Sequence, residues 1–201
     1  MSKRLVLFSQ PSTIIFESLK IVLFPEYLTD RVFAYMPSEG DSVETNAKYI
    51  PIWQEFAKSN DAKFVFIDNS KRGVEAIRES EKVLSSNILI ITGGNTFKLL
   101  NHLRRSGLGE TIKKFWKIGG VVLSGFSAGA IVLSPSIATA KTGVGDANEL
   151  GIIDLTGINI FDFEVWPHYE LSQETEVTEY KLKNQTELKT ISNEEVMVID
   201  K

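Results

Sequence analysis

Five consecutive residues, Gly125-Phe126-Ser127-Ala128-Gly129, hold a serine between two glycines two positions away on either side. An apolar run, Val121–Leu123, precedes them, and Ala130-Ile131-Val132-Leu133 follows with the character of a helix start. A strand, a sharp turn carrying Ser, and a helix form the context of a nucleophile elbow. The glycines let strand and helix approach without a Cβ clash. Ser127 then sits at a helix N-terminus, where free N–H groups and the dipole favour developing negative charge. The N–H of Ala128 is one candidate oxyanion donor. The alternative is that Ser127 merely caps a helix after a tight turn.

A serine nucleophile needs a base, and the chain has two histidines. His102 falls with Asn101 and Arg105 on the polar side of a helical pattern and reads as solvated surface. His168 follows Trp166-Pro167, just beyond an apolar run, where it can lie beside another strand-end loop. It is the candidate general base. For a third group that would orient the imidazole, the stretch between them offers Asp146, Glu149 and Asp154, with Asp162 and Glu164 beyond. Asp146 lies in the polar loop Gly143-Val144-Gly145-Asp146-Ala147-Asn148, and residue types alone leave Asp146 and Glu149 both open.

A second strand-to-glycine turn, Ile88–Ile91 followed by Thr92-Gly93-Gly94-Asn95-Thr96, offers a backbone N–H of Gly93 or Gly94 as a further oxyanion donor. It lacks the Lys-Ser/Thr of a phosphate loop and the spacing of a dinucleotide fingerprint. Its plain alternative is a turn with Asn95 or Thr96 as a helix cap.

The elements that must position these residues follow from hydrophobic patterning. Leu5–Phe8, Val32–Tyr35, Phe64–Ile67, Ile88–Ile91 and Val121–Leu123 are short continuous apolar runs, the mark of strands covered on both faces. Helical spacing over Ser12–Phe24, Ser42–Lys58, Gly73–Leu84, Thr96–Arg105 and Leu108–Trp116 separates them. Pro51 is expected to kink or split the second of these. The alternation implies an α/β sandwich with a mostly parallel sheet, whose ligands bind at strand carboxyl ends. Beyond Ser136, Ile158–Val165 reads as a strand, Glu174–Asn184 as a helix and Val196–Asp200 as a last strand. No linker divides the chain, so residues 1–201 are expected to form one domain.

The 201 residues carry a net charge of -4 and no cysteine. The first gives no basic excess to attract nucleic acid. The second excludes a thiol nucleophile and a thiolate metal site. The apolar run near the N-terminus is too short for a secretory leader, and no stretch is long enough to span a membrane, so a cytoplasmic protein is expected.

Together, Gly93-Gly94-Asn95-Thr96-Phe97, Gly125-Phe126-Ser127-Ala128-Gly129-Ala130, Pro135-Ser136-Ile137 and Pro167-His168-Tyr169 resemble the serine peptidase family of aspartyl dipeptidase (peptidase E) and cyanophycinase, in order and rough spacing. The resemblance implies a three-layer α/β/α fold like that of class I glutamine amidotransferases. It implies Ser127 as nucleophile, His168 as base, Gly94 and Ala128 as oxyanion donors, and no metal or cofactor. It places the acid in the loop before the histidine, where counting back from His168 favours Asp146 and leaves Glu149 as the alternative. The implied partner is a small peptide substrate, with a homodimer possible and no nucleic acid or membrane. The arginine that the aspartyl dipeptidase carries downstream of its histidine has no counterpart: residues 172–184 contain only Lys181 and Lys183. Lysine does not reproduce arginine's bidentate fork, so strict aspartate specificity is not expected. Other readings are an amidase or thioesterase of the same shape, or a binding domain that has kept the fold without catalysis.

Overall fold

A computed structural model describes residues 3–40, 42–143 and 145–201. Met1, Ser2, Asp41 and Val144, the last named above within the polar loop, lie outside the described residues. Six strands form the main sheet: β1 (Arg4–Phe8), β2 (Val32–Met36), β3 (Lys63–Phe66), β4 (Ile88–Ile91), β5 (Val122–Phe126) and, at one edge, a strand over Val196–Asp200. A smaller two-stranded sheet pairs β6 (Glu164–Trp166) in parallel with β7 (Leu188–Thr190), which makes the edge strand β8. The order across the main sheet is β3-β2-β4-β5-β1-β8, parallel except for β8 against β1.

The continuous apolar runs are explained by burial on both faces. Val6 and Phe8 of β1 face one hydrophobic core, while Leu5 and Leu7 face the other. Helices α1 (Thr13–Leu23) and α2 (Val43–Lys58) cover the first face through Ile15, Leu19, Leu23, Trp53 and Phe56. The second face is covered by α3 (Gly73–Leu84), α4 (Thr96–Ser106), α5 (Leu108–Lys114) and the short α6 (Ala128–Leu133). This is the α/β architecture with helices on both sides of a mostly parallel sheet.

Three local expectations change. Pro51 neither splits nor ends α2, which runs unbroken from Val43 to Lys58. Pro51 is exposed, so the carbonyl that loses its N–H partner can turn to water. The helix expected to reach Trp116 passes instead into a π-helical turn at Phe115–Gly119. The strand expected over residues 158–165 forms only at Glu164–Trp166. The backbone before it is spent on loop bonds: the N–H groups of Ile158, Asn159 and Ile160 donate to the carbonyls of Val132, Ser134 and Leu133. These residues cap the open end of α6 rather than extend a sheet. The charged α7 (Glu174–Asn184), which connects β6 to β7, forms where the pattern places it.

The site depends on how closely α6 returns onto the sheet. A Cβ on Gly125 would lie 2.5 Å from the Gly129 carbonyl oxygen, and one on Gly129 would lie 2.1 Å from the carbonyl oxygen of Ile91. Both distances are far inside contact, and both opposing atoms are backbone that cannot swing away. Gly129→Ala is therefore expected to destabilise the fold by about 2–4 kcal/mol. Thermal unfolding of the variant should show a drop of roughly 5–15 °C, and an unchanged midpoint would show that the β5–α6 turn is looser than described.

Candidate active site

The carboxyl ends of β1, β2, β4 and β5 converge, and each delivers polar or small residues: Ser9, Ser38, Gly93-Gly94 and Ser127. Ser127 follows β5 directly and has φ 50° and ψ -119°, a conformation that L-residues rarely adopt. Its backbone is anchored on both sides. The Ser127 N–H donates to the Phe8 carbonyl at 3.1 Å, and its own carbonyl accepts from Ala130 and Ile131 at 2.9 and 3.0 Å. The first N–H of α6, on Ala128, has no intrahelical acceptor by the geometry of any helix start.

His168 also has a positive φ, 57°. Its N–H donates to Ser9 Oγ at 2.9 Å, and the Ser9 hydroxyl donates in turn to the Ile191 carbonyl at 2.8 Å. Ser9 is almost wholly buried. It thus ties the end of β1 to the loop after β6 and to the segment after β7. Tyr169 N–H reinforces the same junction by donating to Ile191 O at 3.0 Å. The imidazole is thereby brought to Ser127, with Nε2 2.9 Å from Oγ. At that separation the hydroxyl proton can pass to the ring as the oxygen attacks a carbonyl.

The Nδ1 partner is Asn193 Oδ1, at 2.7 Å. An amide oxygen only accepts, so it holds the proton on Nδ1 and leaves Nε2 free to accept from Ser127. Neither acid considered from the sequence occupies this position. The Asp146 carboxylate accepts from the Thr96 N–H at 2.8 Å and from Thr96 Oγ1 at 2.6 Å, at the N-terminus of α4. There it satisfies an orphan donor and complements the helix dipole. Asp146 still lines the cleft that contains Ser127 and His168, but its carboxylate bonds to Thr96. Glu149 is exposed and lies 3.6 Å from Lys98. Sequence reasoning missed both Ser9 and Asn193. The one signal for Ser9 was its place immediately past an apolar strand. Asn193 lies beyond β7, a strand too short and polar to register as one.

The glycine turn after β4 borders the nucleophile's position. A Cβ on Gly93 would come within 3.0 Å of the Ser127 Cβ, and one on Gly94, whose φ is +139°, would lie 2.0 Å from Ser38 Oγ. Only glycine fits at Gly94 in either respect. Asn95 caps α4 by accepting from the Lys98 N–H at 3.0 Å, the cap anticipated for this turn.

His102 is not the solvated residue that the helical pattern implied. It is half-buried against the loop after β3, and its Nδ1 has no hydrogen-bond partner among the described residues. Burial, aided by the nearby Arg72 guanidinium, holds its pKa below the usual histidine value. It lines neither cavity at Ser127. Among the described residues, no cluster of His, Asp or Glu has metal-binding geometry, and no helix is long and apolar enough to cross a membrane.

The model of peptidase family S51 matches residues 21–201. The chain belongs to peptidase family S51. It is therefore a hydrolase of the serine peptidase class. An uncharacterized peptidase of Listeria monocytogenes is 29% identical over 189 residues, covering 89% of this chain and 88% of that protein. A peptidase E of Shigella flexneri is 29% identical over 121 residues, 58% of this chain and 49% of that one. A crystal structure of a Listeria monocytogenes protein described as a candidate peptidase E superposes with a TM-score of 0.73 at 25% identity, covering 100% of this chain and 98% of the other. The structure of a peptidase from an acI-B1 Actinobacterium shares the fold, with a TM-score of 0.72 at 20% identity over 99% of this chain and 84% of that one.

These contacts separate two roles that the sequence left together. Asn193→Ala frees Nδ1 and is expected to lower kcat by about 10- to 100-fold with little change in thermal midpoint. Asp146→Asn weakens the cap on α4 and is expected to cost about 1 kcal/mol of stability with a much smaller effect on kcat. Steady-state kinetics and thermal unfolding of both variants check this, and the reverse pairing would place the orienting role on Asp146.

Proposed function

We propose that this S51 peptidase is an exopeptidase of the dipeptidase type, acting on small peptides through Ser127 and His168. The observation that carries the reading is the 2.9 Å approach of His168 Nε2 to Ser127 Oγ at a strained strand-to-helix turn. In this reading Ser127 attacks the peptide carbonyl as His168 takes its proton. The imidazolium then protonates the leaving amine, and water hydrolyses the acyl-enzyme by the same route. The N–H groups of Ala128 and Gly94 are the proposed oxyanion donors. The first opens a helix and the second lies in the glycine turn beside the nucleophile, so both are fixed before substrate arrives.

Asn193 takes the third position in place of the expected acid. A neutral amide fixes the tautomer and orientation of the ring, as in the Cys-His-Asn arrangement of papain-like proteases. It adds no negative charge to steady the imidazolium. The dipeptidase reading is supported by the partial match to a peptidase E. It is also supported by the cleft of about 380 Å³ next to Ser127, a volume that suits a small substrate.

A fluorophosphonate probe should label the wild-type protein at Ser127, and Ser127→Ala should abolish labelling. His168→Ala should slow labelling by about 100-fold or more, the share that a positioned general base contributes. A folded wild-type protein that never labels would overturn the proposed chemistry.

A further inference from the structure

Two cavities meet at Ser127, and His168 lines both. They differ in chemistry. One runs past Thr139, Asp146, Trp166 and Gln173. The other, of about 400 Å³, has the rings of Tyr35, Tyr49, Trp53 and Phe126 among its walls, and it includes the glycine turn proposed to hold the oxyanion. Resting on the serine peptidase reading above, we infer that this aromatic cavity is the enzyme's specificity pocket, that it takes a large apolar side chain, above all an aromatic one, and that it rejects an acidic one.

The walls are built, not incidental. Trp53 stacks on Phe126, with ring centroids 6.1 Å apart and planes 21° from parallel, and Tyr35 packs 6.0 Å from Trp53. Phe126 stacks in turn on Phe8 of the neighbouring strand at 5.0 Å. Trp53 and Tyr35 are almost wholly buried and back the wall of the cavity from within the core. Tyr49 is partly exposed and closes the outer side. A ring inserted here would gain edge and face contacts with aromatics that need not reorganise.

The charges argue the second half. The charged side chain that lines the aromatic cavity is Glu39, and the one that lines the other cavity is Asp146. Among the described residues, no lysine or arginine lines either. Lys98 lies beyond the wall, divided between Glu39 at 3.8 Å and Glu149 at 3.6 Å. Lys48 lies over the Tyr49 ring, 5.0 Å from its centroid, and does not line the cavity. A side-chain carboxylate placed in the aromatic cavity would lose water, meet Glu39 and find no lysine or arginine lining the walls. An aromatic or large aliphatic side chain loses nothing by the same transfer.

The test is a dipeptide panel in which Phe or Asp stands at either position beside alanine, with Ala-Ala as reference. The readout is kcat/KM, with the active-serine concentration taken from fluorophosphonate titration of a separate sample of the same protein. The better of the two Phe peptides should exceed the better of the two Asp peptides by about 100-fold or more. Tyr49→Ala, on an exposed ring whose loss the fold tolerates, should lower kcat/KM for the Phe peptide at least 10-fold and for Ala-Ala much less. Glu39→Gln should raise the rate on the Asp peptides and narrow the gap. Asp peptides cleaved as well as Phe peptides would overturn the inference and leave the serine chemistry standing. So would Tyr49→Ala lowering both rates equally. Protein that labels with the probe in one sample but, unlabelled, cleaves no dipeptide would instead overturn the dipeptidase reading, and this inference would fall with it.

Discussion

Between β5 and α6 the backbone folds back so tightly that two carbonyl oxygens occupy the space of absent side chains. The Gly129 oxygen stands where a Cβ on Gly125 would be, and the Ile91 oxygen stands where one on Gly129 would be. This contact sets the angle at which α6 leaves the sheet. It also forces Ser127 into its positive φ, at a cost of about 1–3 kcal/mol that the surrounding core must supply. The apolar α6 residues Ala130, Ile131, Val132 and Leu133, buried against the second face of the sheet, are the source of that compensation. The strain and the packing are two aspects of one arrangement, and the exposed hydroxyl is its product.

The imidazole reaches that hydroxyl by a less direct route. Nothing in the main sheet carries His168. It arrives on the loop after β6, in a small sheet of its own, and is fastened to the main sheet through the buried Ser9 hydroxyl. The two-bond relay from His168 N–H through Ser9 to Ile191 O is therefore the mechanical link between two independently paired sheets. Tyr169 N–H binds the same carbonyl and stiffens the joint. A site assembled this way gains precision from short hydrogen bonds to backbone, which have fewer degrees of freedom than bonds between two long side chains.

The sheet, its helices and the Ser127 turn were legible because each rests on a local signal: apolar runs, helical spacing, glycines at fixed offsets. His168 was legible by scarcity, since only one other histidine competed. Asn193 was not, because its contact with the ring depends on a non-local fact, the return of the chain beside β1. Asp146 drew attention for its place near the site, and the structure gives its carboxylate a partner other than His168. It lies in the loop bordering the cleft, but Thr96 presents two donors at a helix start, and a carboxylate there satisfies both. Spacing cannot distinguish a carboxylate facing an imidazole from one facing a helix N-terminus a few ångströms away. The failed strand over residues 158–163 has the same origin, since its apolar residues serve the core while its backbone serves α6.

The antiparallel pairing of β8 with β1 has a temporal meaning. Among the described strands β1 comes first along the chain and β8 last, and they lie side by side with Phe8 opposite Val196. Ser9 follows one of these paired residues and Asn193 shortly precedes the other, so the tether and the ring's partner converge only when the two meet. Made from its N-terminus onward, the chain has all five parallel strands and the turn at Ser127 before residues 191–200 are added. It would have a hydroxyl in place but no aligned imidazole. The serine's position is thus set by a local turn, while the partners of the His168 ring and backbone come together only through the pairing of strands far apart in the chain.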